Sequence, residues 1–312
     1  MSIIAERIAA RATLHRPFEA SDPAAALAAI APRVRALVVT HHTPRIDDSY
    51  IAQFPALEIV TSFGVGYDHI DARAAAARGV VVAHTPGVLD AETADTALGL
   101  VLNTIRRFPA AEIYLREGRW VNEGAFPLTA SLRGRRMGVL GLGRIGKEIA
   151  KRAEAFGVEV VYHGRKAQAD ARYLYYPSLL AMAEAVDILM VAAPGGAETR
   201  HIVNAEVLAA LGPDGVFINI ARGSLVDDEA LIAALRSRTI LAAGLDVFAH
   251  EPRVPEGYLT LDNVVLTPHV GSATIVTRLA MANLVVDNLF AFMDGKGPIA
   301  PTPETPWPMK RE

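Results

Sequence analysis

The stretch Met137-Gly138-Val139-Leu140-Gly141-Leu142-Gly143-Arg144-Ile145-Gly146 decides the fold of this 312-residue chain. A short apolar run, 137–140, leads straight into a G-x-G-x-x-G, and a stretch of helical character, 145–156, follows. Glycine occurs 24 times here, so the pattern alone says little. Between a strand and a helix it acquires a physical meaning. The glycines permit a tight turn and let the backbone approach a pyrophosphate, while the helix N-terminus offers unpaired N–H groups and the positive end of its dipole. Gly141, Gly143, Arg144, Ile145 and Gly146 are therefore candidate dinucleotide contacts; the alternative is a strand–helix turn that binds nothing.

Outward from this loop, apolar runs alternate with stretches of helical length. Residues 158–163, 187–193, 215–220, 242–248 and 263–269 read as buried strands downstream, and 36–40, 57–62 and 79–84 upstream. Continuous apolar strands separated by helices imply parallel sheets covered on both faces. Two such series imply an α/β protein of two doubly wound, Rossmann-like domains. Residues 93–116 read as one long helix leaving the first series and 272–295 as another at the far end. The chain is thus expected to begin in one domain, build the second and return. That makes the outer, substrate domain discontinuous, 1–94 with 284–312, around a dinucleotide-binding domain at 95–283. Residues 1–12 read as helix with no strand before it, and 298–308 as an extended tail.

Composition narrows the function classes. Lys and Arg total 31 against 34 Asp and Glu, a net charge of −3, which argues against non-specific nucleic-acid binding. Hydrophobic residues at 51% supply a large core, and the absence of cysteine excludes disulfides, thiolate metal sites and a Cys nucleophile. No run approaches the ~18 uninterrupted apolar residues of a membrane span. Glu6, Arg7 and Arg11 interrupt any signal-peptide core. The expectation is a cytoplasmic protein with neither membrane nor nucleic acid as partner. No His or carboxylate cluster has metal-ligand spacing.

At the end of the strand 158–163 the chain reads Tyr162-His163-Gly164-Arg165-Lys166. An acid there would bond an adenine ribose 2′-hydroxyl; instead Arg165 and Lys166 suit a 2′-phosphate. NADP(H) is favoured, with NAD(H) possible. Three later strand ends carry Asn219-Ile220-Ala221-Arg222-Gly223, Asp246-Val247-Phe248-Ala249-His250-Glu251-Pro252 and Thr267-Pro268-His269-Val270-Gly271-Ser272. Ligands bind beyond the carboxyl ends of strands in such sheets, so Arg222, Glu251 and His269 are candidate functional side chains. Read singly, they are a surface cation, a turn acid and a core histidine.

The joint pattern of glycine loop, Ala-Arg-Gly, Asp-Val-Phe-x-x-Glu-Pro and Thr-Pro-His-x-Gly-Ser resembles the NAD(P)-dependent D-isomer-specific 2-hydroxyacid dehydrogenases. It is most similar to their glyoxylate/hydroxypyruvate reductase and hydroxyphenylpyruvate reductase branch, over residues 37–301. The resemblance implies reduction of a small 2-oxo acid. Arg222 would grip the substrate, His269 would donate the proton and Glu251 would hold the imidazole in its charged form. It implies that Val65 and Gly66, in the Ser62–Asp68 loop, offer backbone N–H groups to the substrate carboxylate, the site lying between the domains. It adds Gly164, Pro194, Ile220, Ala221, Asp246, Gly271 and Ser272 as dinucleotide contacts, Asp246 toward the nicotinamide end. It also implies a homodimer, with Trp120, Phe126 and Pro127 in a dimerisation arm. Gly195-Gly196 departs from the family's usual Leu-Thr after Pro194. The alternatives are an aromatic 2-oxo acid (hydroxyphenylpyruvate) reductase and, from another class, a dinucleotide-sensing, corepressor-like binding protein. His41, His42, His201 and His250 read as ordinary loop residues, Asp68 and Asp71 as helix caps, and Arg133-Gly134-Arg135-Arg136 as a solvated hinge.

Overall fold

The computed structural model describes residues 2–41 and 43–308; His42 lies outside the described residues. The chain divides into two compact units, 1–89 with 274–312, and 90–273. Both boundaries fall earlier in the chain than 94/95 and 283/284. The reason is that the long helices stay whole. One crossing comes at the first residue of the helix Asp90–Arg106, the other at Thr274, whose hydroxyl caps the helix Ile275–Met293.

In the first unit β1 (Ala36–Val39), β2 (Ile59–Ser62) and β3 (Val81–Ala83) form a parallel sheet in the order β1-β2-β3. Alternate side chains serve opposite layers. Val60 and Val82 pack with Ile51, Phe54 and Ile70, whereas Ile59 and Val81 pack with Ile8, Val286 and Leu289. The described residues open with the helix Ser2–Ala9. Arg7 fastens it to Asn283 and Asp287, and Arg11 bonds Asp294. The 19-residue helix Ile275–Met293 is long and apolar enough to cross a membrane. Here its Met281, Val285, Val286 and Leu289 are buried in the core of this unit, and its Asp287 takes Arg7. Asp71 caps the helix Ala72–Ala77 by accepting the Ala74 N–H.

The second unit holds seven parallel strands: β4 (Arg136–Leu140), β5 (Glu159–His163), β6 (Leu174–Tyr176), β7 (Ile188–Val191), β8 (Val216–Asn219), β9 (Ala242–Leu245) and β10 (Val264–Leu266). Their order is β10-β9-β8-β7-β4-β5-β6. The chain builds outward from β4 to β6, then returns beside β4 as β7. That reversal is the topological switch point, the place where sheets of this kind bind ligands, beyond the carboxyl ends of the strands. Leu140, Val161, Leu189 and Phe217 feed one core layer; Val139, Val160, Met190 and Ile218 feed the other. Arg135 and Arg136 tie down the entry to β4, through bonds to Ser131 O, Asp214 O and Glu159.

Two further features differ from the sequence reading. β6 is an added edge strand, three residues long with Leu174 exposed, too short and too wet to show a burial pattern. The single helix expected over 93–116 is two, Asp90–Arg106 and Phe108–Arg116. Arg107 breaks it at φ 52°, and Pro109 becomes the second residue of the new helix, where its missing N–H costs nothing.

The helix Asp90–Arg106 lies directly on β9. A Cβ at Gly244 would stand 2.6 Å from Thr104 Oγ1 and 2.8 Å from Leu100 Cγ. Overpacking of this kind costs about 1–3 kcal/mol. Gly244→Ala should therefore lower unfolding stability by that amount in urea denaturation, with an unchanged m-value.

Candidate active site

The glycine loop owes its shape to close backbone approaches. Gly141 sits at φ 98°, and a Cβ there would lie 2.7 Å from the backbone of Ala193 at the end of β7. At Gly146 a Cβ would reach the Gly141 carbonyl oxygen at 2.2 Å. Gly143 is different: nothing lies within 4 Å of its Cβ position. It is the N-cap of the helix Arg144–Ala155 and supplies no side-chain cap. The first helical turn, with its uncapped N–H groups, thus starts at an open glycine position beside the switch point, the setting an anion needs. These residues fit a dinucleotide's pyrophosphate.

The end of β5 adjoins this loop, because the Gly141 N–H donates to His163 O at 2.9 Å. Beyond it Gly164 has open space, and Arg165 and Lys166 are exposed with no ion pair among the described residues. The segment folds back through Gln168, whose Nε2 donates to Leu142 O, and through Asp170, which takes Lys147 Nζ at 3.0 Å. Across the switch point, the Pro194 carbonyl accepts the Thr199 hydroxyl, which closes the loop containing Gly195-Gly196.

Asn219, fully buried at the end of β8, fixes the next turn. Its Oδ1 accepts the Ala221 N–H at 3.0 Å and its Nδ2 donates to Arg222 O at 2.8 Å, with Ile220 between. Arg222 Nη1 turns back onto Ala221 O. Gly223 brings this turn against the segment after β9: a Cβ there would be 2.0 Å from the Phe248 carbonyl carbon. That segment carries Glu251. Its Oε1 accepts the Phe248 N–H at 3.0 Å, and its Oε2 meets His269 Nδ1 at 2.7 Å.

His269 stands at φ 52°, a left-handed conformation unusual for a residue with a Cβ. Asp246 holds it there. Its backbone oxygen accepts the His269 N–H. Its carboxylate accepts the Thr267 hydroxyl at 2.6 Å and the N–H groups of Val270 and Gly271, both at 2.8 Å. The carboxylate assigned by resemblance to the nicotinamide end is thus engaged with the segment 267–271. Gly271 O in turn accepts the Thr96 hydroxyl, and Ser272 follows, half-buried. Arg222, Glu251 and His269 are therefore carried on three packed segments of one unit. Val65 and Gly66 belong to the other unit. There the Val65 carbonyl bonds His84 Nδ1 at 2.8 Å, and Gly64 O accepts the Thr85 N–H.

Sequence reasoning passed over Asn219, Gln168 and the support beside Phe248, whose N–H Glu251 accepts. That support is the four-residue helix Glu256–Leu259, seated on its neighbour where a Cβ at Gly257 would meet Ile232 at 2.7 Å. Tyr258 is fully buried beside the Phe248 ring, and its hydroxyl donates to Asp228 Oδ1 at 2.7 Å. A tyrosine after a Glu-Pro turn is the signal that was available.

Residues 98–271 match the model for the D-isomer specific 2-hydroxyacid dehydrogenase NAD binding domain. With its glycine loop at the switch point and its Arg–Glu–His set, this is a dehydrogenase-type chain, and it belongs to that family. It is 47% identical to glyoxylate/hydroxypyruvate reductase A of Arabidopsis thaliana, over 85% of this chain and 84% of that protein. It is 47% identical to hydroxyphenylpyruvate reductase of Plectranthus scutellarioides, over 88% and 87%. Among solved structures it resembles an NADPH-dependent glyoxylate/hydroxypyruvate reductase from Sinorhizobium meliloti, in complex with NADP and malonate. The TM-score is 0.91 at 48% identity, covering 100% of this chain and 96% of that one. The chain is an oxidoreductase of this family, with a nicotinamide dinucleotide as its cofactor.

Burial holds the Asp228 carboxyl above its ordinary value of 3.8; the Tyr258 hydrogen bond and the charges of His250 and His201 offset part of this. A raised acid keeps its proton to higher pH in the folded state than in the unfolded chain, so stability falls as pH rises through that interval. Asp228→Asn keeps an acceptor for Tyr258 and removes the titration. Its stability relative to the parent should therefore increase as pH is raised from about 4 toward neutrality, read from paired urea unfolding curves.

Proposed function

We propose that this protein reduces a small 2-oxo acid, glyoxylate or hydroxypyruvate, to the D-2-hydroxy acid with NADPH. One observation carries the reading: His269 Nδ1 is held 2.7 Å from Glu251, on a segment packed beside the Arg222 turn. With Nδ1 on the carboxylate, Nε2 becomes the nitrogen that delivers a proton, and Glu251 fixes the direction in which the ring presents it. Arg222 offers a planar fork to the substrate's carboxylate and carbonyl, and so orients the carbonyl carbon. The N–H groups of Val65 and Gly66 are assigned to the same carboxylate. A bound reduced nicotinamide supplies the hydride. Gly141, Gly143, Arg144, Ile145 and Gly146 would hold its pyrophosphate, while Pro194, Ile220, Ala221, Gly271 and Ser272 would line its path. On this reading 90–273 is the dinucleotide-binding unit and the other the substrate unit.

The preference for NADPH rests on Gly164-Arg165-Lys166, two exposed cations where an acid would oppose a 2′-phosphate. The Sinorhizobium relative, which is NADPH-dependent and holds NADP, supports it. The similarity to hydroxyphenylpyruvate reductase supports a second reading in which the substrate is aromatic. A homodimer is also proposed. Phe108, Ile113, Leu115, Trp120, Val121 and Leu128 are all exposed along 108–128, an apolar arm suited to a second copy of the chain.

The test follows absorbance of the reduced nicotinamide with glyoxylate, hydroxypyruvate and hydroxyphenylpyruvate. The two small substrates should give the higher kcat/KM; a preference for the aromatic one favours the second reading. His269→Ala should lower kcat at least about 100-fold while dinucleotide affinity is kept. Replacing both Arg165 and Lys166 by Ala should raise KM for NADPH about tenfold or more and leave that for NADH nearly unchanged. Wild-type activity in His269→Ala overturns the proton-donor assignment.

A further inference from the structure

We propose that Asp90 is a positioning residue for the dinucleotide, acting through Arg144: it assists binding while Arg144 is present and opposes it once Arg144 is gone. This rests on the dinucleotide reading above and deepens it. Asp90 is the first residue of the helix Asp90–Arg106 and is only 8% exposed. Its Oδ2 accepts the Nε–H of Arg144 at 2.7 Å. Its Oδ1 is buried and has no hydrogen-bond partner among the described residues. Arg144 opens the helix Arg144–Ala155 immediately after Gly143, and its side chain is two-thirds exposed. The pair thus has one nearly buried end and one wet end.

A carboxylate removed from water needs a counter-charge, and the guanidinium is the cation Asp90 has. Bonding at Nε uses one of the five guanidinium donors and leaves the four on the terminal nitrogens without a bond to Asp90. Arg144 also begins the helical turn that has no side-chain cap and starts beside the open Cβ position of Gly143. A tethered guanidinium there meets a pyrophosphate with less rotamer freedom to lose, which strengthens binding. The same tether neutralises Asp90. Without Arg144 an uncompensated, poorly solvated carboxylate stands beside the site of a dianionic group and repels it. A purely structural Asp90, stabilising its own helix N-terminus, would affect binding in the same direction whatever residue 144 is.

The experiment measures the Kd for NADPH and for NADH, by protein fluorescence quenching and calorimetry, on the full chain and on Asp90→Asn, Arg144→Gln and the double variant. Asp90→Asn alone should weaken NADPH binding about fivefold, and Arg144→Gln about 30-fold. Added to Arg144→Gln, Asp90→Asn should instead tighten binding, about threefold. An effect of Asp90→Asn that has the same sign in both backgrounds overturns the proposal. Should Asp90→Asn fail to fold, as judged by its thermal transition, Asp90→Ser is put through the same cycle under the same criterion. A parent protein that binds neither dinucleotide overturns the cofactor reading, and this proposal with it. That failure is distinct from a same-sign cycle in a protein that binds.

Discussion

A buried carboxylate, that of Asp246, organises the part of the molecule on which its chemistry depends. At 1% exposure it lies beyond the end of β9, where an isolated charge would be expensive. It is accommodated because one hydroxyl and two backbone N–H groups converge on it, and all three come from the segment 267–271. The same bonds hold His269 in a left-handed conformation that the chain would otherwise leave. Glu251 then has a fixed partner, and its second oxygen is anchored on the Phe248 N–H. The direction of the imidazole is set by contacts from the segments that follow β9 and β10 rather than by the freedom of one loop.

Much of the architecture was legible because it rests on local signals. Apolar strands between helices, and a glycine loop following one of them, led to two parallel-sheet units and located the switch point. The signals failed where a tertiary contact outweighed the pattern. At residues 93–116 the apolar periodicity ran through Arg107, yet Pro109 stabilises a new helix start that a hydrophobic count does not register. β6 is an edge strand with one face wet, so Leu174–Tyr176 shows no burial rhythm. The unit boundaries are set by whole helices, which composition does not mark.

In the site, residues whose side chains do chemistry stood out by type and by position after strands. Those that hold them did not. Asn219 looks like one more strand-end amide until its two bonds to the Ala221–Arg222 turn are seen. Asp246 stood out as a candidate ligand contact, but its hold on the backbone of a neighbouring segment was not visible. Gly223 looked like part of a motif, whereas its role is steric: two backbones pass so close that no side chain fits. Roles of this kind depend on which distant segments meet, and that information is not local.

The bond between the Thr96 hydroxyl and the Gly271 carbonyl has a further meaning. Thr96 lies one and a half turns into the segment that opens the unit 90–273, and Gly271 lies two residues before its close. Entry and exit of that unit are therefore stitched together. A module whose ends meet can be accommodated within a loop of a host without pulling the host apart. The first unit, 1–89 with 274–312, can accordingly be split along the chain and still form one compact body.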